Sequence, residues 1–129
     1  MCGIVGFISK DESLNVLEDM LEIQAHRGPD DRGVFFDKNS GVHLGHNRLS
    51  IIDLSMAGHQ PFVSNCERYI IVYNGEVYNF ADIKEELIEL GYEFKSNSDT
   101  EVILYSYIEW GVDAIEKFVG MFAFVILIK

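Results

Sequence analysis

The strand-prone and helical stretches of this sequence follow one another without regular alternation, and that order rules out most of the folds open to a chain of its size. Cys2 to Ile8 reads as a short buried strand, and Leu14, Leu17 and Leu21 then fall at helical spacing, which predicts a helix from about Ser13 to Ala25. Two β-prone runs, Val34 to Asp37 and Val42 to Leu54, flank a hairpin turn at residues 37–41. The run YIIVYN, Tyr69 to Asn74, predicts another strand with a tight bend at Gly75. Asn79 is placed to cap a helix carrying Ile83, Leu87 and Leu90 that stops at Gly91, and Asp99 opens a helix through Trp110 before Gly111. A doubly wound parallel sheet needs strict alternation of strand and helix. The expected class is therefore α+β with largely antiparallel strands.

Loops are expected at His26 to Gly33 (HRGPDDRG), with its glycines, proline and charges, and at Met56 to Gln60 ahead of Pro61. Gly120 to Lys129 (GMFAFVILIK) reads as an apolar strand with no later strand to pair with, which predicts that the domain continues.

A chain of 129 residues that is 48% hydrophobic with two prolines suits one folded domain. The net charge of −11, with ten scattered basic residues, argues against nucleic acid as a partner. Cys2 and Cys66 lie far apart without metal-finger spacing, so neither a disulfide framework nor a zinc site is expected, and Cys66 is given no chemical role. His43 and His46, three apart in a strand, should face opposite ways and share no metal. Neither a signal peptide nor a membrane-length apolar run is present, so the expected location is cytoplasmic and no membrane partner is expected.

Cys2 directly follows the initiator methionine. Removal of Met1 would place a thiol and a free α-amine on one residue, a nucleophile with its own base. The amine, with a pKa of about 7.7–8.0, is matched to accept the thiol proton. On position alone a small buried cysteine is an equal reading.

The motifs CGIVG, HRGPD, NRLSIIDLS, HQPF, YNGEVYN, SDTEVIL and GMFAF occur together and in order from Cys2 onward. Together they resemble the class II glutamine amidotransferase domain of the asparagine synthetases from Cys2 to Val125, the final ILIK departing from the family pattern, so residues 1–129 read as the N-terminal portion of that domain. The resemblance implies an N-terminal-nucleophile hydrolase fold, with stacked antiparallel sheets between helical layers. It implies that Cys2 attacks the side-chain amide of L-glutamine, releasing ammonia and leaving a thioester for water to hydrolyse. Asn74 (side chain) and Gly75 (backbone N–H) would then stabilise the oxyanion. Arg48 would bind the α-carboxylate of glutamine, and Asp99 with Glu76 its amino group.

Each assignment has a plainer reading: Asn74-Gly75 as a hairpin turn, Asp99 as a helix cap, Glu76 as a solvated turn residue. The HRGPD loop is expected to shape the pocket rather than move protons. The resemblance implies no cofactor or metal in this part. ATP and Mg belong to the separate synthetase domain, which is absent from these residues and would be the domain's partner in the full-length protein. A homodimer is left open. Alternatives are a catalytically silent truncated remnant or interaction module, or the glutaminase of an amidotransferase with another acceptor, as in sugar or purine synthesis.

Overall fold

The computed structural model describes residues 2–11, 14–50 and 56–129. In chain order the elements are β1 (Gly3–Ile8), α1 (Leu14–Ile23), a 3-10 turn (Ala25–Arg27), β2 (Asp31–Asp37), β3 (Val42–Arg48), a 3-10 turn (Met56–Gly58), β4 (Phe62–Val63), β5 (Tyr69–Val77), α2 (Phe80–Glu89), α3 (Asp99–Trp110), a 3-10 segment (Gly111–Lys117) and β6 (Gly120–Ile128). They form two antiparallel sheets, ordered β1-β3-β2 and β4-β5-β6. The expected α+β class with antiparallel strands is thus what the chain adopts.

Period-two burial explains the layering. On β5, Ile70 and Val72 turn inward with Leu44 of β3 to fill the space between the sheets, while Ile71, Tyr73 and Val77 turn outward against Ile83 and Leu87 of α2 and Val102 to Tyr105 of α3. On the far side, Leu17 and Leu21 of α1 pack on Val5 of β1. The order is helix, sheet, sheet, helices. Burying a leucine such as Leu17 or Leu87, both fully buried, stabilises this packing by roughly 1.5–3 kcal/mol.

Several boundaries differ from the sequence reading, each for a physical reason. β1 is an edge strand, and Ile8 at its end is largely exposed rather than buried. The expected start of the first helix at Ser13 lies outside the described residues, and its end moves back to Ile23 because Ala25–Arg27 tightens into a 3-10 turn. The HRGPDDRG stretch is only partly loop: Asp31, Arg32 and Gly33 pair with Arg48, Asn47 and His46. The long β-prone run ends as a strand at Arg48, and residues 51–55 lie outside the described part. The 37–41 turn is where expected, closed by Gly41 N–H donating to Asp37 O at 2.8 Å with Gly41 at φ +73°.

Asn79 occupies the N-cap position of α2 as expected, but its side chain makes no capping bond. Its side chain fastens the loop before β6, donating to Lys117 O at 2.9 Å and accepting from Val119 N–H at 2.9 Å. Ile83 and Leu87 are buried, but Leu90 caps the C-terminal end and is half exposed. β4 went unread because two residues carry no period. The apolar run at 120–128 has a partner after all, the earlier strand β5, along its whole length.

Two histidines serve the sandwich from opposite faces of β3. His43 stacks between Phe7 and Phe36 at centroid distances of 4.4 and 4.3 Å. His46 crosses between the sheets, its Nε2–H donating to Tyr73 O at 3.1 Å. Burial holds the His46 pKa down at about 4, against 6.5 for a free imidazole. Between pH 6.5 and 4 the unfolded chain protonates this residue while the native chain does not, so stability should fall as pH drops through that window. On this account His46 alone removes on the order of 3 kcal/mol. Urea unfolding at stepped pH should show the slope in the wild type, and His46→Gln should lack that part of it.

Candidate active site

Cys2 precedes β1, and continuing the pairing of Gly3 with Asn47 by one residue sets it opposite Arg48. Both lie on the inward, even-numbered face shared with Ile4, Leu44 and His46. Leu49 N–H donates to Cys2 Sγ at 3.3 Å and Arg27 Nε–H donates to Cys2 O at 3.1 Å, so the cysteine is held at both its thiol and its carbonyl. Arg27 belongs to the HRGPD segment, which also ties down the end of β3: Asp30 N–H donates to Arg48 O and Asp30 Oδ2 accepts from Ser50 N–H. Gly28 permits this approach, since a Cβ there would lie 2.4 Å from Asn47 O. His26 is exposed, and these contacts give the loop the shaping role expected for it.

A cleft of about 250 Å³ opens at this end of the sandwich, a volume suited to a small ligand such as an amino acid. Cys2, Arg48, Asn74, Gly75, Glu76 and Asp99 all line it. All six residues singled out from the sequence therefore meet in one cavity, although they come from four separate stretches of chain.

The two residues read as a hairpin turn are not one. Asn74 and Gly75 lie within β5, which runs straight on to Val77, paired with Ala123 and Phe122 of β6. The expected bend at Gly75 is absent because pairing with β6 continues through Val77, and β6 passes too close to residue 75 for a side chain. A Cβ on residue 75, at φ +156°, would lie 2.3 Å from Met121 O and 2.6 Å from Phe122 Cα.

β4 pairs with β5 only as far as Ile71, so among the described residues the rest of that β5 edge has no partner strand. In an antiparallel ladder alternate residues aim their backbone groups to opposite sides. Tyr78 N–H donates to Val119 O beside β6, whereas Tyr73 N–H and Val77 N–H donate to side chains, Gln60 Oε1 at 2.6 Å and Asp99 Oδ2 at 3.1 Å. Gly75 lies between these two on the same edge, and its N–H faces the cleft.

Asp99 is the first residue of α3 rather than its cap. Ser98 caps the helix, its side chain accepting from Thr100 N–H at 3.1 Å. The Asp99 carboxylate is thereby free to turn inward, where Oδ2 also accepts from Tyr73 O–H at 2.6 Å. Burial pushes its pKa up, opposed by the Tyr73 and Val77 donors, and the nearby Glu76 pushes the same way as burial. Burial and Asp99 together raise the Tyr73 phenol, so it stays a donor. Glu76 is exposed at the rim. Two carboxylates and a buried arginine thus converge on the cleft that holds the thiol.

A model of the glutamine amidotransferase domain matches residues 1–129. The chain belongs to the glutamine amidotransferase domain family. The glutamine-hydrolysing asparagine synthetase 1 of Bacillus subtilis is 42% identical over 132 residues, covering 98% of this chain and 20% of that protein. The amidase chry2 of Gibberella zeae is also 42% identical, over 139 residues, covering 98% of this chain and 21% of that protein. The amidotransferase domain described here thus spans about a fifth of the length of these relatives. Among solved structures, the glutamine phosphoribosylpyrophosphate amidotransferase from B. subtilis superposes with a TM-score of 0.82 and 20% identity, over 99% of this chain and 35% of that one. That likeness gives the fold, the stacked antiparallel sheets between helical layers expected from the motifs.

Sequence reasoning missed several cleft residues of this amidotransferase domain. Gly58, Gln60, Tyr73, Ser98 and Thr100 line it as well. HQPF was noticed as a motif, but nothing in it says that Gln60 reaches β5. Gly58 makes room for Arg48: a Cβ there would lie 2.2 Å from Nη2 and 2.8 Å from Cζ of its guanidinium. Gly58→Ala should displace that fork and, on the reading proposed below in which Arg48 binds glutamine, raise the KM for glutamine about tenfold, since small misplacements of a binding clamp cost up to about 10²-fold. Steady-state glutaminase kinetics should show this with kcat nearly unchanged. Among the described residues no group of three or more potential ligands could hold a metal ion, and no helix is long and apolar enough to cross a membrane.

Proposed function

We propose that this domain is the glutaminase part of an asparagine synthetase, in which Cys2 hydrolyses L-glutamine to glutamate and ammonia. The observation that carries the proposal is the convergence of a thiol, an arginine, two carboxylates and the Asn74-Gly75 stretch of β5 on one amino-acid-sized cleft. Arg48 pairs with the α-carboxylate of glutamine, and Asp99 and Glu76 with its ammonium group. A buried carboxyl whose pKa is raised gains from a bound cation, and the ammonium supplies it.

The side-chain amide then lies toward Cys2. The Cys2 sulfur attacks the amide carbon, with its α-amine, freed by removal of Met1, taking the thiol proton and returning it to the departing nitrogen. Ammonia leaves, a thioester remains, and water cleaves it to glutamate and the free thiol. Asn74 Nδ2–H and Gly75 N–H receive the oxyanion in both steps. Met1 lies outside the described residues.

This half-reaction uses no metal or cofactor in this domain. ATP and Mg enter only where a synthetase domain activates aspartate for the released ammonia, in the cytoplasm. Asparagine synthetase is favoured as the context by the similarity to the B. subtilis protein; the equal identity of the Gibberella amidase makes the acceptor the part to test. The experiment is ammonia release from glutamine by the purified protein and its Cys2→Ala variant, with intact mass reporting Met1 removal. Ammonia release that survives the substitution would overturn the assignment of Cys2. Supplying aspartate and ATP to the full-length protein and finding no asparagine would overturn the acceptor.

A further inference from the structure

We infer that Gln60 is a positioning residue for this active site, acting in place of a strand on the edge of β5 that faces away from β6, beside the oxyanion residues. The inference rests on the glutaminase reading above and goes beyond it, because Gln60 itself need not touch glutamine. β4 begins at Phe62, opposite Ile71, so two residues further along β5 Tyr73, paired with Phe124 of β6 on one side, has no strand partner among the described residues on the other. Buried backbone groups left unpaired are costly, and a strand edge without partners is free to shift.

Three side chains fix Tyr73 instead. Gln60 Oε1 accepts from Tyr73 N–H at 2.6 Å, His46 Nε2–H donates to Tyr73 O at 3.1 Å, and the Tyr73 phenol donates to Asp99 at 2.6 Å. Asp99 ties Tyr73 to α3 through the phenol, and Gln60 adds a second tie from the Tyr73 backbone, since its Nε2–H donates to Thr100 Oγ1 at 3.2 Å. Its side chain is therefore a bridge from the strand bearing Asn74 and Gly75 to the first turn of α3, which bears Asp99. Gln60 is 5% exposed, so water does not substitute for either bond. An amide suits the place because it accepts at one end and donates at the other.

The residue bonded to Gln60 immediately precedes the oxyanion pair, so loosening it moves donors that matter in the transition state more than in the bound substrate. The test compares three full-length proteins: wild type, Gln60→Met and Gln60→Glu. Methionine keeps the length and removes the acceptor. Glutamate keeps an acceptor for Tyr73 N–H, and the Thr100 hydroxyl can rotate to donate to it.

Gln60→Met is expected to lower kcat for glutamine hydrolysis about tenfold or more, less than the 10²–10³ of deleting an oxyanion donor outright. Its KM should stay within about threefold, and Gln60→Glu should recover most of the lost kcat. A rise in KM with kcat retained, or equal kcat for Met and wild type, would overturn the inference. So would equal losses in Met and Glu variants, which indicate a packing role. Should Gln60→Met fail to fold, the Glu variant and Thr100→Val, which keeps the Tyr73 bond but breaks the helix bond, carry the test: wild-type kcat in Thr100→Val overturns the bridge. Failure of the glutaminase reading looks different, because it appears as wild-type activity that does not depend on Cys2.

Discussion

Cys2→Ala is expected to lower glutamine hydrolysis by at least ~10³–10⁴-fold while leaving glutamine affinity within about threefold. The loss should be large because, among the described residues, the cleft offers no second thiol. Of its hydroxyls, Ser98 Oγ accepts from Thr100 N–H to cap α3, Thr100 Oγ1 accepts from Gln60, the Tyr73 phenol is held protonated against Asp99, and Tyr78 is an exposed phenol, a poor nucleophile at neutral pH. Affinity should persist because the groups proposed to hold the two charged ends of glutamine come from β3, β5 and α3, none of which the substitution touches.

Cys2→Ser is expected to remain far below wild type, since a serine hydroxyl is a much weaker nucleophile than a thiol at neutral pH. Ammonia release by a coupled assay and glutamine binding by calorimetry on the same variants separate the two effects. A variant that neither hydrolyses nor binds glutamine would mean that Cys2 supports the cleft rather than attacks in it.

The site was legible in the sequence to the extent that it is written in contiguous motifs. Arg48 in NRLS, Asn74-Gly75-Glu76 in YNGEVYN and Asp99 in SDTEV could each be named from the chain, and all of them line the same cleft as Cys2. Local readings alone would have misplaced two of them. Asn-Gly between β-prone residues signals a turn, yet the strand runs through it because β6 lies against Gly75. SDTEV signals a cap at its first acidic residue, yet Ser98 takes that work and leaves Asp99 to face inward.

Gln60, Gly58 and His46 could not be read in the same way. Each acts on a partner from a different segment: Gln60 on Tyr73, Gly58 on Arg48, His46 on Tyr73 across the two sheets. Their roles depend on where β4 stops and how closely the sheets approach, and no residue pattern records either. The short β4 is the clearest case. Two residues of strand are invisible to periodicity, but their early end is what exposes the β5 edge to the cleft.

Asn74→Ala is expected to lower kcat for glutamine hydrolysis by about 10²–10³, equivalent to roughly 2.7–4 kcal/mol, with KM changed little. Asn74 lies on the inward, even-numbered face of β5, the face on which Cys2 lies at the end of β1, and it lines the cleft beside Gly75. Its side-chain amide is positioned by a strand that is paired along its length with β6, so the alanine variant should keep the backbone and lose only the donor. An interaction made in the transition state but not with the ground-state amide is one whose removal depresses kcat and kcat/KM together.

Asn74→Asp sharpens the test. It keeps the size of the side chain, but in its ionised form replaces a donor with an anion pointing at the site where negative charge develops, and should be slower than Asn74→Ala. The opposite ranking, or a raised KM with kcat intact, would identify Asn74 as a group that binds glutamine in its ground state, and the oxyanion would then depend on Gly75 N–H alone.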